Sequence, residues 1–411
     1  MQVEAWLPRA AARRPDATAL VADGHTLRYA ELAALADAGA RDLHARGARA
    51  GDRIAIALPP GLAFAVALHA CLRLGAVAVP VDLRLGEAER RQRASTCVLT
   101  VDRLLADGAE APLATTHDLD AVAAVIHTSG TTGTGRAIEL TYGNWLWSAL
   151  GSAVALGLDP QERWLSALPL AHVGGLSILL RSSIYATTAV VHPAFDLDAA
   201  LAELQEATLV SLVPTQLARL LDAGLRGPPR LRAVLLDRAN EAEVPVVSTY
   251  GLTEACSQVT TGGFPLFCTR VVLSPEGEIL VAGPTISPTA GEPLRTGDLG
   301  SWAPDGSLLI TGRAADTIVT GGENVAPAEV EAVLEAHPAV AEAAVHARPD
   351  PEWGEAVVAT VVLAPGAQAT ERELRAHVRA GLAGFKVPKE VGFADTLPRT
   401  PSGKLLRRLL G

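Results

Sequence analysis

Lysine is almost missing from this chain. Of 35 basic residues only three are lysine, Lys386, Lys389 and Lys404, so the first 385 positions hold none and the other 32 are arginine. Met1 is the only methionine, and aromatic residues make up 4%. A coding bias that trades lysine for arginine explains the skew, and a lysine that survives it marks chemistry that arginine cannot supply. Chance clustering in a solvated tail is the competing explanation. Cysteine is scarce too. Cys71, Cys97, Cys256 and Cys268 show neither CxxC nor metal-knuckle spacing, so reduced thiols are expected. The uncharged stretches Ile54–Leu72 and Leu140–Leu158 are each about long enough to cross a bilayer. Pro59, Pro60, Gly61 and His69 interrupt the first, and Gly143, Asn144, Ser148, Gly151 and Ser152 the second, so strands, turns and buried helices fit better. The N-terminus has no apolar signal core, which predicts a cytoplasmic protein.

What is present points to a large globular protein. With 411 residues, 49% hydrophobic and 19% charged, the chain has material for two or three domains and is not disordered. A net charge of −10 disfavours a general nucleic-acid binder. The last 26 residues run the other way. There Lys386, Lys389, Arg399, Lys404, Arg407 and Arg408 outnumber Glu390 and Asp395, a local basic patch suited to a phosphate.

Short apolar runs alternate with helical patterns through the first three hundred residues. RIAIALPP (53–60) reads as a buried strand, 61–75 as a helix closed by glycine, and AVAVPVD (76–82) as the next strand. The same alternation recurs at 121–130, 164–172, 208–214 and 245–251, which predicts layered α/β structure with a largely parallel sheet. Beyond Arg313 helices and strands mix. PAEVEAVLEAH (327–337) starts on proline, and Thr370 with Glu373 forms a capping-box pattern before a helix to Leu382. The boundary is expected at Arg313 to Ala315.

Four segments carry chemistry. HTSGTTGTGR (127–136) follows an apolar strand and has no side chain larger than threonine before Arg136. Its glycines let N–H groups turn inward around an anion, and its hydroxyls add donors. Gly130 and Gly135 have Walker A spacing, but Arg136 and Ala137 stand where that motif needs Lys and then Ser or Thr. STYGLTEACSQ (248–258) offers an aromatic beside glycine, then the hydroxyl and carboxylate of Thr253 and Glu254, oxygen ligands suited to a hard cation. RTGDLG (295–300) and LPRTPSGKLLRR (397–408) place Asp298 and Lys404 on turns.

The order TSGTTG, YGLTE, TGD, GR and PRTPSGK, with LRLGAVAVPVD (72–82) upstream, resembles the adenylate-forming family of acyl-CoA ligases, nonribosomal-peptide adenylation domains and luciferases. The match runs from about residue 25 to the end. The resemblance implies an α/β fold: a large N-terminal layered domain with mainly parallel sheets, residues 1–313, and a small, mobile α+β C-terminal domain, residues 314–411. The family activates a carboxylate with ATP to an acyl-adenylate and pyrophosphate, then passes the acyl group to a thiol. Thr128, Ser129, Gly130, Thr131, Thr132 and Gly133 would hold phosphates. Tyr250 and Gly251 would face adenine, and Thr253 would contact phosphate. Glu254 and Thr132 would hold Mg²⁺. Asp298 and Arg313 would bind the ribose, Lys404 would bridge carboxylate and α-phosphate, and Gly321 and Gly322 would face the pantetheine arm of coenzyme A.

Within the family, Leu168–Tyr185 and Tyr250–Thr261 resemble ligases of an aromatic keto acid with two carboxylates. His172 would then lie between acyl pocket and thiol tunnel. Arg181, Ser257 and Gln258 are the partners expected for the second carboxylate, with a helix-end salt bridge the alternative for Arg181. The implied partners are the small-molecule carboxylate, ATP and CoA, with no nucleic acid, no membrane span, and a homodimer left open. Three departures accompany the match. Gly135, Arg136 and Ala137 replace a usual Pro-Lys-Gly, which predicts altered phosphate contacts. Asp237 to Thr249 is shortened beside adenine. Ala315 stands where the hinge usually has Asp or Lys, which predicts slower thioester formation. Another acid, a carrier-protein thiol, or a nucleotide-binding descendant without ligase activity are the rival readings.

Overall fold

The computed structural model describes residues 1–103, 110–128, 136–236, 244–399 and 405–410, and the side chains of all but Asn324 and Arg408. These residues form two compact units, Met1–Val271 with Val281–Leu294, and Val272–Leu280 with Arg295–Gly411.

The first unit is built on two sheets. Nine strands lie in the spatial order Phe264–Pro265, Ser257–Thr261, Val246–Leu252, Ala233–Leu236, Leu209–Ser211, Arg163–Ser166, Thr188–Val191, Thr18–Ala22 and His25–Arg28. From Val246–Leu252 to Thr18–Ala22 every neighbour is parallel, and antiparallel strands finish both edges. Apolar runs such as AVLL (233–236), buried at all four positions, are what a sheet covered on both faces requires. The second sheet orders Leu99–Val101, Arg53–Ile56, Val77–Pro80, Val122–His127 and Ala137–Thr141, and only the last pair is antiparallel.

Local signals set the helices between these strands. Helix Leu62–Leu74 ends because Gly75 takes the left-handed conformation, φ 75°. Helix Tyr142–Leu156 begins at a reciprocal cap: Thr141 Oγ1 accepts from the Asn144 N–H and Asn144 Oδ1 accepts from the Thr141 N–H. Helix Val173–Tyr185 has His172 at its N-cap. Thr128, Thr253 and Glu254 follow the C-terminal ends of strands, where ligands meet open α/β sheets.

In the second unit Arg270–Leu273, Glu278–Ala282, Leu294–Trp302 and Leu308–Arg313 make one sheet. A second, five-stranded sheet carries Ile318–Thr320, Glu323–Val325, Val340–Asp350, Gly354–Leu363 and Glu390–Phe393. Helices Pro327–Glu335 and Glu371–Gly381 contribute Val330, Leu334, Leu374 and Val378 to its core. The expected capping box is formed, since Thr370 Oγ1 accepts from the Glu373 N–H and Glu373 accepts from the Thr370 N–H.

Among the described residues, two histidines of the first unit are buried without an acidic partner. Burial pushes His69 down to about 4, and burial with the nearby charges of Arg73 and His69 does the same to His117. The Trp6 N–H donates to His117 Nε2, and the ring stacks on Tyr142 at 4.1 Å, contacts of a neutral imidazole. The folded values lie below the ordinary 6.5, so the unfolded chain binds more protons between them. This contribution is therefore complete above about pH 6.5 and is lost as pH falls towards 4, at roughly 1 kcal/mol per pH unit for each group. Urea midpoints measured from pH 7 to pH 4.5 should fall, and His117→Gln should flatten the slope. A slope unchanged by the substitution would show that His117 titrates alike in both states.

Candidate active site

Two antiparallel strands flank the glycine-rich segment. Strands Val122–His127 and Ala137–Thr141 pair to His127 opposite Ala137, and the Thr128 N–H donates to the Arg136 carbonyl at 2.9 Å. Thr128 and Arg136 thus form the neck of the loop. Ser129, Gly130, Thr131, Thr132, Gly133 and Gly135 lie outside the described residues. At the neck, burial together with the charges of Arg93 and Arg53 pushes His127 down to about 4, so its ring is neutral at pH 7.

Strand Val246–Leu252 lies inside the nine-stranded sheet, yet none of its seven residues is buried. Its parallel neighbour Ala233–Leu236 is buried throughout. The open strand carries Tyr250 and Gly251, and a single 3₁₀ turn, Thr253–Ala255, follows it. The chain then returns antiparallel as Ser257–Thr261, with a register shift between Tyr250 and Gly251. Cys256 and Ser257 have φ 53° and 90°, in the left-handed region that non-glycine residues avoid. A β-carbon at Gly251 would lie 1.8 Å from the Ser257 carbonyl oxygen, so the turn closes only with glycine there. Glu254 sits half-buried at the apex. Among the described residues no side chain pairs with its carboxylate.

Behind the turn a buried network holds its backbone. The Ser148 hydroxyl donates to the Cys256 carbonyl at 2.6 Å and accepts from the Arg181 guanidinium at 2.9 Å. Arg181 is 2% exposed, lies over the Trp164 ring at 5.6 Å, and keeps an unpartnered Nε. Among the described residues no carboxylate pairs with it, so it is not the helix-end salt bridge. Gln258 is buried, donates to Thr261 Oγ1, and leaves its Oε1 unpartnered. Thr261 Oγ1 can donate or accept, so a rotated amide keeps that bond and turns N–H donors to the unpartnered side.

One cluster was invisible in the sequence. Arg84 grips Asp82 with two guanidinium bonds, 2.9 and 2.6 Å, and a third from its own N–H. The same guanidinium stands 3.1 Å from His172 Nε2, which is 3.6 Å from Asp82 Oδ2. Burial would raise the Asp82 carboxyl, but hydrogen bonds from Arg84 and His172 outweigh it and hold it well below the usual carboxylate range. Asp82 was legible as the end of a motif, but nothing local links it to a histidine ninety positions on.

In the second unit Asp298 and Arg313 meet as a cross-strand pair, Nε to Oδ1 2.8 Å, with Asp298 buried and Arg313 half-exposed. Gly321 and Gly322 form the tip of the Ile318–Val325 hairpin with φ 59° and 84°, the conformation a two-residue turn needs. Trp353 lies so close that a β-carbon at Gly321 would be 2.6 Å from its ring. Ala315 is exposed, and the next residue, Asp316, is tied to Arg407 at 3.1 Å. The basic tail is knit into this unit. Lys386 is 2.7 Å from both oxygens of Glu329, Lys389 covers the Trp353 ring at 4.5 Å, Arg399 pairs with Glu342, and Arg407 pairs with Glu331. The expected phosphate-facing patch is thus largely paired within the unit. Lys404 lies outside the described residues, between Arg399 and Leu405, which pair as an antiparallel bridge.

Among the described residues no three His, Cys, Asp or Glu side chains come together for a metal. The partly buried, unpaired carboxylate of Glu254 fits magnesium of another kind, an ion that takes most of its ligands from phosphates and water.

A layered α/β unit with a phosphate-loop hairpin, a glycine-sealed turn that presents a lone carboxylate, and an Asp–Arg strand pair define an adenylate-forming enzyme. The chain matches the AMP-binding enzyme family over residues 7–102 and 99–290, and the AMP-binding enzyme C-terminal domain over 329–404. It belongs to this family. It is 36% identical over 472 residues to the 2-succinylbenzoate–CoA ligase of Bacillus subtilis (strain 168), covering 98% of this chain and 97% of that one. The o-succinylbenzoate CoA synthetase of Bacillus subtilis in complex with its acyl-adenylate intermediate superposes with a TM-score of 0.91 at 34% identity, covering 100% and 98% of the two chains. The same enzyme with ATP and magnesium ion gives 0.91 at 34%, with both chains covered fully at 100%. No helix among the described residues is long and apolar enough to cross a membrane.

The Gly251–Ser257 contact has a direct consequence. Gly251→Ala should open the turn by about an ångström and lower acid-dependent ATP–pyrophosphate exchange by about a hundredfold, with far-UV circular dichroism unchanged. Exchange near the wild-type rate would separate this turn from the adenylation site.

Proposed function

We propose that this protein is an ATP-dependent acid–thiol ligase that activates 2-succinylbenzoate as an acyl-adenylate and transfers the acyl group to CoA, a step of menaquinone biosynthesis. The observation that carries the reading is the open strand Val246–Leu252 ending in the sealed turn, which sets an aromatic side chain, a hydroxyl and an unpaired carboxylate in sequence along one edge. Near-full-length likeness to 2-succinylbenzoate–CoA ligases supports the substrate.

In the first half-reaction a carboxylate oxygen attacks the α-phosphorus of ATP, the bond to the bridging oxygen breaks, and pyrophosphate leaves. Thr128 to Gly133 hold the departing phosphates, Tyr250 and Gly251 pack on adenine, and Thr253 contacts phosphate. Glu254 and Thr132 would hold Mg²⁺, which neutralises phosphate charge. Asp298 and Arg313 take the ribose hydroxyls. Lys404 bridges the attacking carboxylate and the α-phosphate, where charge builds in the transition state. In the second half-reaction the thiol sulfur attacks the acyl carbon, AMP leaves, and the thiol proton passes to solvent. His172, held by Asp82 and Arg84, lies beside the acyl group, and Gly321 and Gly322 border the pantetheine path. A small domain, residues 314–411, turns on Arg313–Ala315 between the two halves.

Arg181, Ser257 and Gln258 recognise the second carboxylate. Arg181 acts by its field through Ser148, since it is buried without a counter-ion, and Gln258 acts by its rotated amide. The partners are the carboxylate, ATP and CoA, the location is cytoplasmic, and the assembly is a homodimer.

Coupled pyrophosphate release tests the reading. It should require 2-succinylbenzoate, fall away with benzoate, and yield a CoA thioester only when CoA is added. Lys404→Ala should lose about 10²–10³-fold in adenylation while still forming thioester from supplied acyl-adenylate. Equal turnover of benzoate would overturn the substrate, and near wild-type adenylation by the variant would overturn the role of Lys404.

A further inference from the structure

Helix Tyr142–Leu156 contains no charged residue, and its sequence is apolar or small around its whole circumference. Such helices are normally covered on every side. Here only one face is. Tyr142, Trp145, Ala149 and Ser152 are buried, whereas Leu150 is 38% exposed, Val154 67% and Leu158, just past the end, 54%. Positions 147, 150, 154 and 158 recur at helical spacing on the side opposite Trp145 and Ala149. The apolar surface continues beyond the helix. The Trp147 ring is 6.3 Å from that of Phe267, which is 59% exposed, and Phe264 on the neighbouring edge strand is 48% exposed. Gly151 seals the junction, because a β-carbon there would lie 2.9 Å from Leu266. Helix and hairpin therefore present one patch, wholly within the first unit.

We propose that this patch is the two-fold interface of the homodimer, with Leu150, Val154, Phe264 and Phe267 at its centre. The inference rests on the homodimer of the reading above and gives it a surface. Size and charge select a second copy as the occupant. The patch offers roughly 500 Å² of apolar surface, as large as functional patches become. Two copies face to face would bury roughly 1,000 Å², which reaches the range of specific interfaces. An isologous contact sets every residue near the axis against its own copy, so a charge there would meet its like. The helix supplies none. An anionic membrane is the poorer occupant, since it attracts surfaces fringed by clusters of lysine and arginine, whereas this chain has a net charge of −10. The contact would also cover Phe264–Pro265, the sheet edge next to the strand that carries Ser257 and Gln258.

Sedimentation velocity on the full chain at micromolar concentration tests this. The wild type should sediment as a dimer. Val154→Glu and, separately, Phe267→Glu should weaken the dimer by at least about tenfold, while Val154→Leu should keep it. Both glutamates enter exposed positions, and far-UV circular dichroism checks that each variant is folded; Leu158→Glu replaces either one that is not. A monomeric wild type, or a dimer indifferent to the glutamates, overturns the proposal. Co-sedimentation of a monomeric wild type with phosphatidylserine vesicles overturns it in favour of a membrane surface. A monomer with full pyrophosphate release and thioester formation sinks this interface and leaves the ligase reading intact.

Discussion

Between Gly251 and Ser257 the chain turns back so closely that a single methyl group cannot be inserted. The 1.8 Å separation between a would-be β-carbon and the Ser257 carbonyl oxygen is the constraint on which the site depends. With it come the register shift at Tyr250, the single 3₁₀ turn Thr253–Ala255, and the left-handed backbone of Cys256 and Ser257. Each such residue costs on the order of 1–3 kcal/mol. The surroundings offset that cost. Ser148 fixes the Cys256 carbonyl, Arg181 fixes Ser148, and Trp164 covers the guanidinium. In return Glu254 stands at the apex with no counter-ion among the described residues, the condition that the proposed role beside a phosphate-borne cation requires.

The sequence disclosed what is local and withheld what is assembled. Apolar runs such as RIAIALPP and AVAVPVD are strands because their side chains fill both faces of a sheet, and Thr370 caps its helix through a contact three residues long. Tyr250, Glu254, Asp298 and Arg313 were legible because motifs keep chemistry-bearing residues beside the glycines that shape their turns. That Asp298 and Arg313 stand opposite each other follows from a strand register with an irregularity at Leu299 and Gly300, which spacing alone does not reveal. The Asp82–Arg84–His172 clamp joins segments that belong to different sheets. Arg181 posed a choice between ion pair and substrate contact; among the described residues it is a buried cation bonded to a hydroxyl with no carboxylate beside it, which leaves the substrate contact as the reading to test. Lys404 and the tip of the phosphate loop lie outside the described residues, so their roles rest on their motifs and on biochemical test.

The scarcity of lysine now divides by the work each cation does. Where a cation must be buried or must grip a carboxylate in two places, arginine is the better group, because its fork matches the carboxylate and its charge survives burial. Arg73 with Asp37, Arg163 with Glu203, Arg84 with Asp82 and the deeply buried Arg181 all belong to that class. A chain under pressure to replace lysine loses nothing at such positions. Lys386 and Lys389 pair with Glu329 and Trp353, contacts that a guanidinium could also make. Lys404 differs in kind. Bridging a carboxylate and a phosphate while both change charge calls for a compact ammonium on a slender stem, and a flat guanidinium would hold the two reactants in its own plane and apart. Of the three lysines, only this one has a proposed role whose chemistry itself excludes arginine.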